Sequence, residues 1–212
     1  MDVYHIKMRS RLLCWLFLPA MLPAQIIEFE SNNLHYKTLT KAGVTVMFAY
    51  LPAHVKEYSI VQVSIANGSP ISWTVKPEDF TYRKQDGEEV QAQPALSVVR
   101  SLLSKASRHD VTKLVLTYEN SLYGNIIMHS TNGYEARRES ALADGVSARI
   151  KAAAAASAIA LVSTKLLAGQ STDGAVFFIS NGKPFGPGTL IVHTGGEFFE
   201  FPTDGEPIAS TK

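Results

Sequence analysis

Polar and apolar positions alternate most plainly from Glu57 to Ala66, where the chain reads EYSIVQVSIA. Tyr58, Ile60, Gln62 and Ser64 fall on one face of a strand and Ser59, Val61, Val63 and Ile65 on the other, so the second face is apolar. The preceding run Gly43 to Leu51 (GVTVMFAYL) has the β-branched and aromatic content of a strand and is closed by Pro52. Asn67-Gly68-Ser69-Pro70 predicts a turn, because Asn and Gly tolerate positive φ and Pro cannot continue a ladder. Short strands follow at Ser72 to Val75 and Asp79 to Arg83, and Asp86-Gly87 predicts a hairpin into Glu88 to Gln91.

After Pro94 the period lengthens. Val99, Leu102, Leu103 and Ala106 recur at helical spacing, and beyond Asp110, a suitable N-cap, so do Val111, Leu114, Val115, Tyr118 and Leu122. Two short amphipathic helices account for this pattern, although VTKLVLTY also reads as a strand. Past a loop at Gly124, Asn132 and Gly133, a long helix-compatible stretch runs from Tyr134 to Leu167, interrupted at Asp144-Gly145 and stopped at Gly169.

Strands return at Ala175 to Ser180 (AVFFIS). After a Pro/Gly loop, TLIVHT and EFFEF flank Gly195-Gly196 as a hairpin. Neighbouring residues of a strand face opposite sides, so Phe177 and Phe178, like Phe198 and Phe199, must divide between two faces. Some of these rings must lie under the helical segment or stand exposed as a binding patch. The order of strands, a helical excursion and strands again predicts a mainly β fold, an immunoglobulin-like antiparallel β-sandwich carrying a helical insertion.

The N-terminus has a different pattern. Lys7, Arg9 and Arg11 precede the apolar run Leu12 to Ala24, the order of a secretory signal peptide, with cleavage after Ala24 or Ala20. The 13 apolar residues fall short of the about 20 needed to cross a bilayer. Removing residues 1–24 takes away the sole cysteine, Cys14, and leaves 17 basic and 18 acidic residues, a net charge of −1. A thiol-free, near-neutral chain excludes a disulfide framework and a cysteine nucleophile, and offers no electrostatic footprint for nucleic acid. The expected organisation is a signal peptide over 1–24, one sandwich domain over 25–201 with its helical insertion at about 95–168, and a flexible tail over 202–212.

Two segments, VQVSIANGSP…EDFTYRKQDGEE (Val61 to Glu89) and LLAGQSTDGAVFFI (Leu166 to Ile179), carry a family likeness. Together they resemble paired signatures of an exported bacterial telokin-like domain family with an immunoglobulin-type sandwich. In that family an alternating strand ends in an Asn-x-Ser-like turn, Asp-Phe opens a strand, and Gly-x-Ser-x-x-Gly precedes an apolar strand. The resemblance implies a binding or adhesion-type module in the periplasm or outside the cell. The segment from Ala95 to Lys165 departs from it, being much longer than the family pattern.

Chemistry-bearing residues do not assemble into a motif. His35, His54, His109, His129 and His193 lie at no metal-ligand spacing, and His109-Asp110 lacks the further ligands of a metal phosphohydrolase. Gly169-Gln-Ser171-Thr-Asp173-Gly174 has Asp where a nucleophile elbow needs Gly, and Gly182-Lys183-Pro184 lacks the Ser or Thr of a phosphate loop. Asn67-Gly68-Ser69 is formally a glycosylation sequon as well as a turn. The run from Lys151 to Ser163, with 11 residues between its ends, is too short to span a membrane and reads as a small-residue helix packed against the sandwich or a second copy.

No catalytic, cofactor-binding or metal residue is therefore assigned, and no cofactor. The expected function is a non-enzymatic exported module binding a protein or cell-surface partner. The alternatives are an envelope structural protein using its Ala-rich helix, and an enzyme gathering His54, His129, His193 and a carboxylate by folding.

Overall fold

The computed structural model describes residues 25–32, 34–51, 55–107 and 148–205. The signal-like segment, His54, His109, His129, the second amphipathic pattern and the loop at Gly124 to Gly133 lie outside them. Eleven strands and two helices are described. The strands are β1 (Ile27–Ser31), β2 (Leu34–Lys41), β3 (Val44–Tyr50), β4 (Tyr58–Asn67), β5 (Trp73–Val75), β6 (Phe80–Lys84), β7 (Glu89–Gln91), β8 (Thr164–Leu166), β9 (Ser171–Ile179), β10 (Gly188–Thr194) and β11 (Glu197–Thr203). The helices are α1 (Ala95–Lys105) and α2 (Ala148–Ile159), and a 3-10 turn over Pro77–Asp79 leads into β6.

A five-stranded sheet in the order β1-β2-β3-β4-β9 packs face to face on a four-stranded sheet in the order β11-β10-β6-β7, and β5 pairs with β8 apart from both. All strand pairings are antiparallel. This is an antiparallel β-sandwich with a helical insertion, since α1 and α2 fall between β7 and β8 in the chain.

Between the sheets lie Val46 and Phe48 from β3, Val61, Val63 and Ile65 from β4, Phe178 from β9, Phe80 and Tyr82 from β6, and Phe199 and Phe201 from β11. Alternation puts these side chains on the inner faces. Phe48 meets Phe201 edge-on at 5.0 Å between ring centres, a geometry worth about 0.5–1.5 kcal/mol beyond its area.

Much of the outer face of the five-stranded sheet is buried as well, away from its β1 edge. Tyr36, Ala49, Tyr58, Ile60, Ala175 and Phe177 form a second core with Val98 and Leu102 of α1 and the alanines of α2. Ala152, Ala153, Ala155, Ala156 and Ala158 are all buried, so the Ala-rich helix packs within the chain. β4 is therefore apolar-buried on one face and helix-covered on the other. The two rings of β9 divide as alternation requires, Phe177 under the helices and Phe178 in the sandwich. On β11, Phe199 is buried, whereas Phe198 is 59% exposed.

Several boundaries differ from those expected. The helix-compatible stretch ending at Leu167 stops at Ile159, because Thr164–Leu166 pairs with Trp73–Val75 as β8. Gly169, at φ +78, serves the turn between β8 and β9 rather than a helix stop. β9 begins at Ser171, four residues before the expected start at Ala175. Strand β11 continues through Pro202 to Thr203, beyond the expected start of a flexible tail. β1 and β2 form a hairpin in a segment where no strand was expected.

Glu57, just before β4, ties α1 to the sheet: Ser101 Oγ donates to its Oε1 at 2.9 Å and Lys105 Nζ stands 3.5 Å away. Burial pushes this carboxyl up, but the Ser101 hydroxyl and the Lys105 charge outweigh it and hold it below the usual 4.5. A lowered carboxylate stabilises the fold above its ordinary value and loses that contribution as pH falls through the lowered one. Ser101→Ala should therefore cost about 1 kcal/mol at pH 7, with the gap to the parent narrowing in acid, as urea unfolding at both pH values would measure.

Close approach can be tested separately. A Cβ on Gly174 would lie 2.6 Å from the backbone of Leu161, so Gly174→Ala must displace the segment that follows α2. The expected loss is about 1–3 kcal/mol by the same measurement.

Candidate functional site

The Asn67 turn is the most densely bonded polar site described. Asn67 Nδ2 donates to the carbonyls of Ile71 (2.8 Å) and Leu166 (3.2 Å), and its Oδ1 accepts from the Ser69 N–H (3.0 Å) and hydroxyl (2.6 Å). The Gly68 N–H donates to Gly43 O at 2.7 Å, which locks the β2–β3 turn to the end of β4. With both amide hydrogens engaged and the side chain buried, the sequon is a structural joint in the folded chain. Asn67→Ala would remove the amide's bonds to the Ile71 and Leu166 carbonyls and to the Ser69 N–H and hydroxyl, leaving the Ser69 hydroxyl only its 3.3 Å bond to Ile71 O, with an expected cost of about 2 kcal/mol or more in thermal or urea unfolding.

The outer face of the four-stranded sheet has a different character. Gly195 and Gly196, both at positive φ, close the two-residue β10–β11 turn and set His193 opposite Phe198. The two rings stack, 4.1 Å between centres and 4° from parallel. Their side chains point away from the sandwich, because Val192 and Phe199 beside them point in. Lys76, Glu78, Asp79, Thr81, Gln91 and Ile191 help line the same open hollow of about 480 Å³.

Each wall residue is placed by local structure. Asp79 ends the turn before β6, and its carboxylate accepts the Lys76 backbone N–H at 3.0 Å. Burial raises its pKa above the usual 3.8, opposed by that hydrogen bond and by the charges of Lys76 and His193. Arg83, further along β6, contacts Glu89 at 2.9 Å and Glu200 at 3.7 Å across the sheet. These exposed pairs contribute at most about 1 kcal/mol each and chiefly order the surface.

A larger open groove of about 970 Å³ runs between the β6–β7 hairpin and the loop before β10. Lys183 and Pro184 line it, in a loop held between strands and without the following helix of a phosphate loop. Phe185 from this loop is buried, stacked 4.3 Å from Tyr82, and the Tyr82 hydroxyl donates to Gly186 O. The loop is thus anchored by its own aromatic residue, and the groove offers no exposed ring.

Of the histidines considered for a dispersed site, His193 is described and stands within the electrostatic reach of Asp79. His54 and His129 fall outside the described residues. Among the described residues, no group of three or more His, Cys, Asp or Glu side chains is arranged to hold a metal ion. No described helix is long and apolar enough to cross a membrane.

The His193–Phe198 platform escaped sequence reading because it depends on strand register. The signal was present, since a two-residue Gly195-Gly196 turn fixes the pairs 194–197 and 193–198.

The class that these features define is an antiparallel β-sandwich with one sheet face covered by helices and the other presenting an aromatic and charged surface. No family model and no curated protein matches the chain. Among solved structures, the yjhA protein from Bacillus subtilis is similar at 12% identity, covering 79% of this chain and 77% of that one, with a TM-score of 0.31. A likeness of that degree carries no argument about fold or function.

Replacing Phe198 by Ser should leave stability within about 0.5 kcal/mol of the parent, because the ring is largely solvent-exposed. The His193 ring protons should shift downfield in an NMR spectrum as the stacked ring is lost.

Proposed function

We propose that the chain is an exported, non-enzymatic binding module whose contact surface is the outer face of the four-stranded sheet. The observation that carries this reading is the exposed Phe198 ring stacked on His193 beside a shallow charged hollow. Flat aromatic area fringed by charge suits recognition of a protein or cell-surface partner, because the ring supplies desolvation and the fringe supplies orientation. Catalysis asks instead for convergent groups that exclude water, and this hollow is open.

Export is supported by the order of charge and hydropathy over residues 1–24 and by the lack of any cysteine beyond them. The resemblance of Val61 to Glu89 and Leu166 to Ile179 to the telokin-like exported family supports the same reading. The burial of the α2 alanines against α1 and the sheet takes away the small-residue surface on which an envelope-structural role would rely.

Two measurements test the proposal. N-terminal sequencing of protein recovered outside the cytoplasm should begin at Gln25 or Met21, and an intact start at Met1 would contradict export. A photo-crosslinking residue placed at 198 in producing cells should form a discrete adduct that the same residue at position 71 does not. Identical adducts at both positions, or none at 198, would overturn the assignment of this face.

A further inference from the structure

The two main sheets have four outer edges, and three of them are closed by identifiable devices. At β11, Lys37 Nζ donates to Pro202 O at 2.9 Å and Lys41 Nζ to Phe198 O at 2.5 Å, so lysines from the opposite sheet occupy edge carbonyls. At β9, the Gln93 N–H donates to Phe177 O and the Leu161 N–H to Ala175 O, both at 2.8 Å. At β7 the strand is three residues long. Charged, covered and shortened edges are the ordinary means by which sheets avoid further pairing.

Among the described residues β1 has no cover on its outer edge, and the charges it bears, Glu28 and Glu30, are both acidic. It pairs with β2 on one side only, and its first four residues are exposed. Ile27 is 61% exposed and Phe29 40%, the latter stacked on Tyr36 at 5.2 Å. Alternation puts Ile27 and Phe29 on one face and Glu28 and Glu30 on the other, with Lys37 contacting Glu28 at 2.8 Å. An exposed edge strand of this kind is a template for one more strand.

We infer that β1 is a strand-addition site for an extended segment of another protein in which basic and apolar residues alternate. Charge selects this occupant. Two copies of β1 paired antiparallel about Phe29 would set Glu28 against Glu30 at two places on one face, and like charges directly opposite destabilise a sheet. An incoming strand with Lys or Arg at those positions meets opposite charge, while its apolar residues extend the exposed face of Ile27 and Phe29. This edge belongs to the other sheet from the His193–Phe198 surface, and the inference does not rest on the function proposed for that surface.

The test uses the full chain with two short soluble peptides, one alternating lysine and valine and one alternating glutamate and valine. At low salt the basic peptide should bind at least about tenfold more tightly than the acidic one, with amide shifts concentrated in β1 and β2. The double variant Glu28→Lys/Glu30→Lys should reverse that order, a readout that a merely destabilised chain would not produce. Equal binding of both peptides, no binding, or shifts centred elsewhere would overturn the proposal. So would protection from hydrogen exchange, in the unliganded chain, of those β1 amides that do not bond to β2, which at monomer mass would mean that another segment of the same chain occupies the edge and at dimer mass a second copy.

Discussion

Burial of the interior of the five-stranded sheet, above all β4 and β9, on both faces is the constraint on which the rest of the structure depends. Its interior strand β4, between β3 and β9, presents Val61, Val63 and Ile65 to the opposing sheet and Tyr58 and Ile60 to the helices. A sheet with two apolar faces needs two covering layers, and a two-sheet sandwich supplies only one. The helical insertion supplies the other. Because α2 meets the sheet through alanines and Gly174 faces the backbone of Leu161, the cover sits close, and the packing has little room for larger side chains.

The geometry of the candidate site follows from this asymmetry. Helices cover the five-stranded sheet, while the outer face of the four-stranded sheet mixes polar and charged residues (Thr81 and Arg83 on β6, His193 on β10, Glu200 on β11) with the apolar Ile191 and Phe198. A face built this way pays little desolvation in the free chain and presents one large ring, Phe198, stacked on an imidazole. The anchored Phe185 loop and the Asn67 joint have the opposite role, fastening the two ends of the sandwich so that these surfaces keep their shape.

Much of this architecture was legible in the residue pattern, for reasons that particular segments make clear. β3, β4, the β6–β7 hairpin and the β10–β11 hairpin were readable because alternation or a Gly-containing turn marks each of them. The division of Phe177 from Phe178 followed from strand geometry alone. β1 and β2 were missed because β1 is an exposed edge whose apolar residues satisfy no core, although Asn32, at φ +52, sits at the hairpin turn. The end of α2 was placed too late, since Ala-rich sequence propagates a helix locally while β8 exists only through pairing with Trp73–Val75. The candidate site was not legible at all as a motif, because His193, Phe198 and Asp79 meet across three elements that only the register brings together.

The central claim is that α1 and α2 are an integral third layer of the fold and not an appendage to a self-sufficient sandwich. Native-state amide hydrogen exchange as a function of denaturant tests it most directly. If the claim holds, the interior amides of α2 exchange in the same cooperative opening as those of β4 and β9. Exchange of both helices by a separate low-energy opening, with β4 and β9 still fully protected, would contradict it.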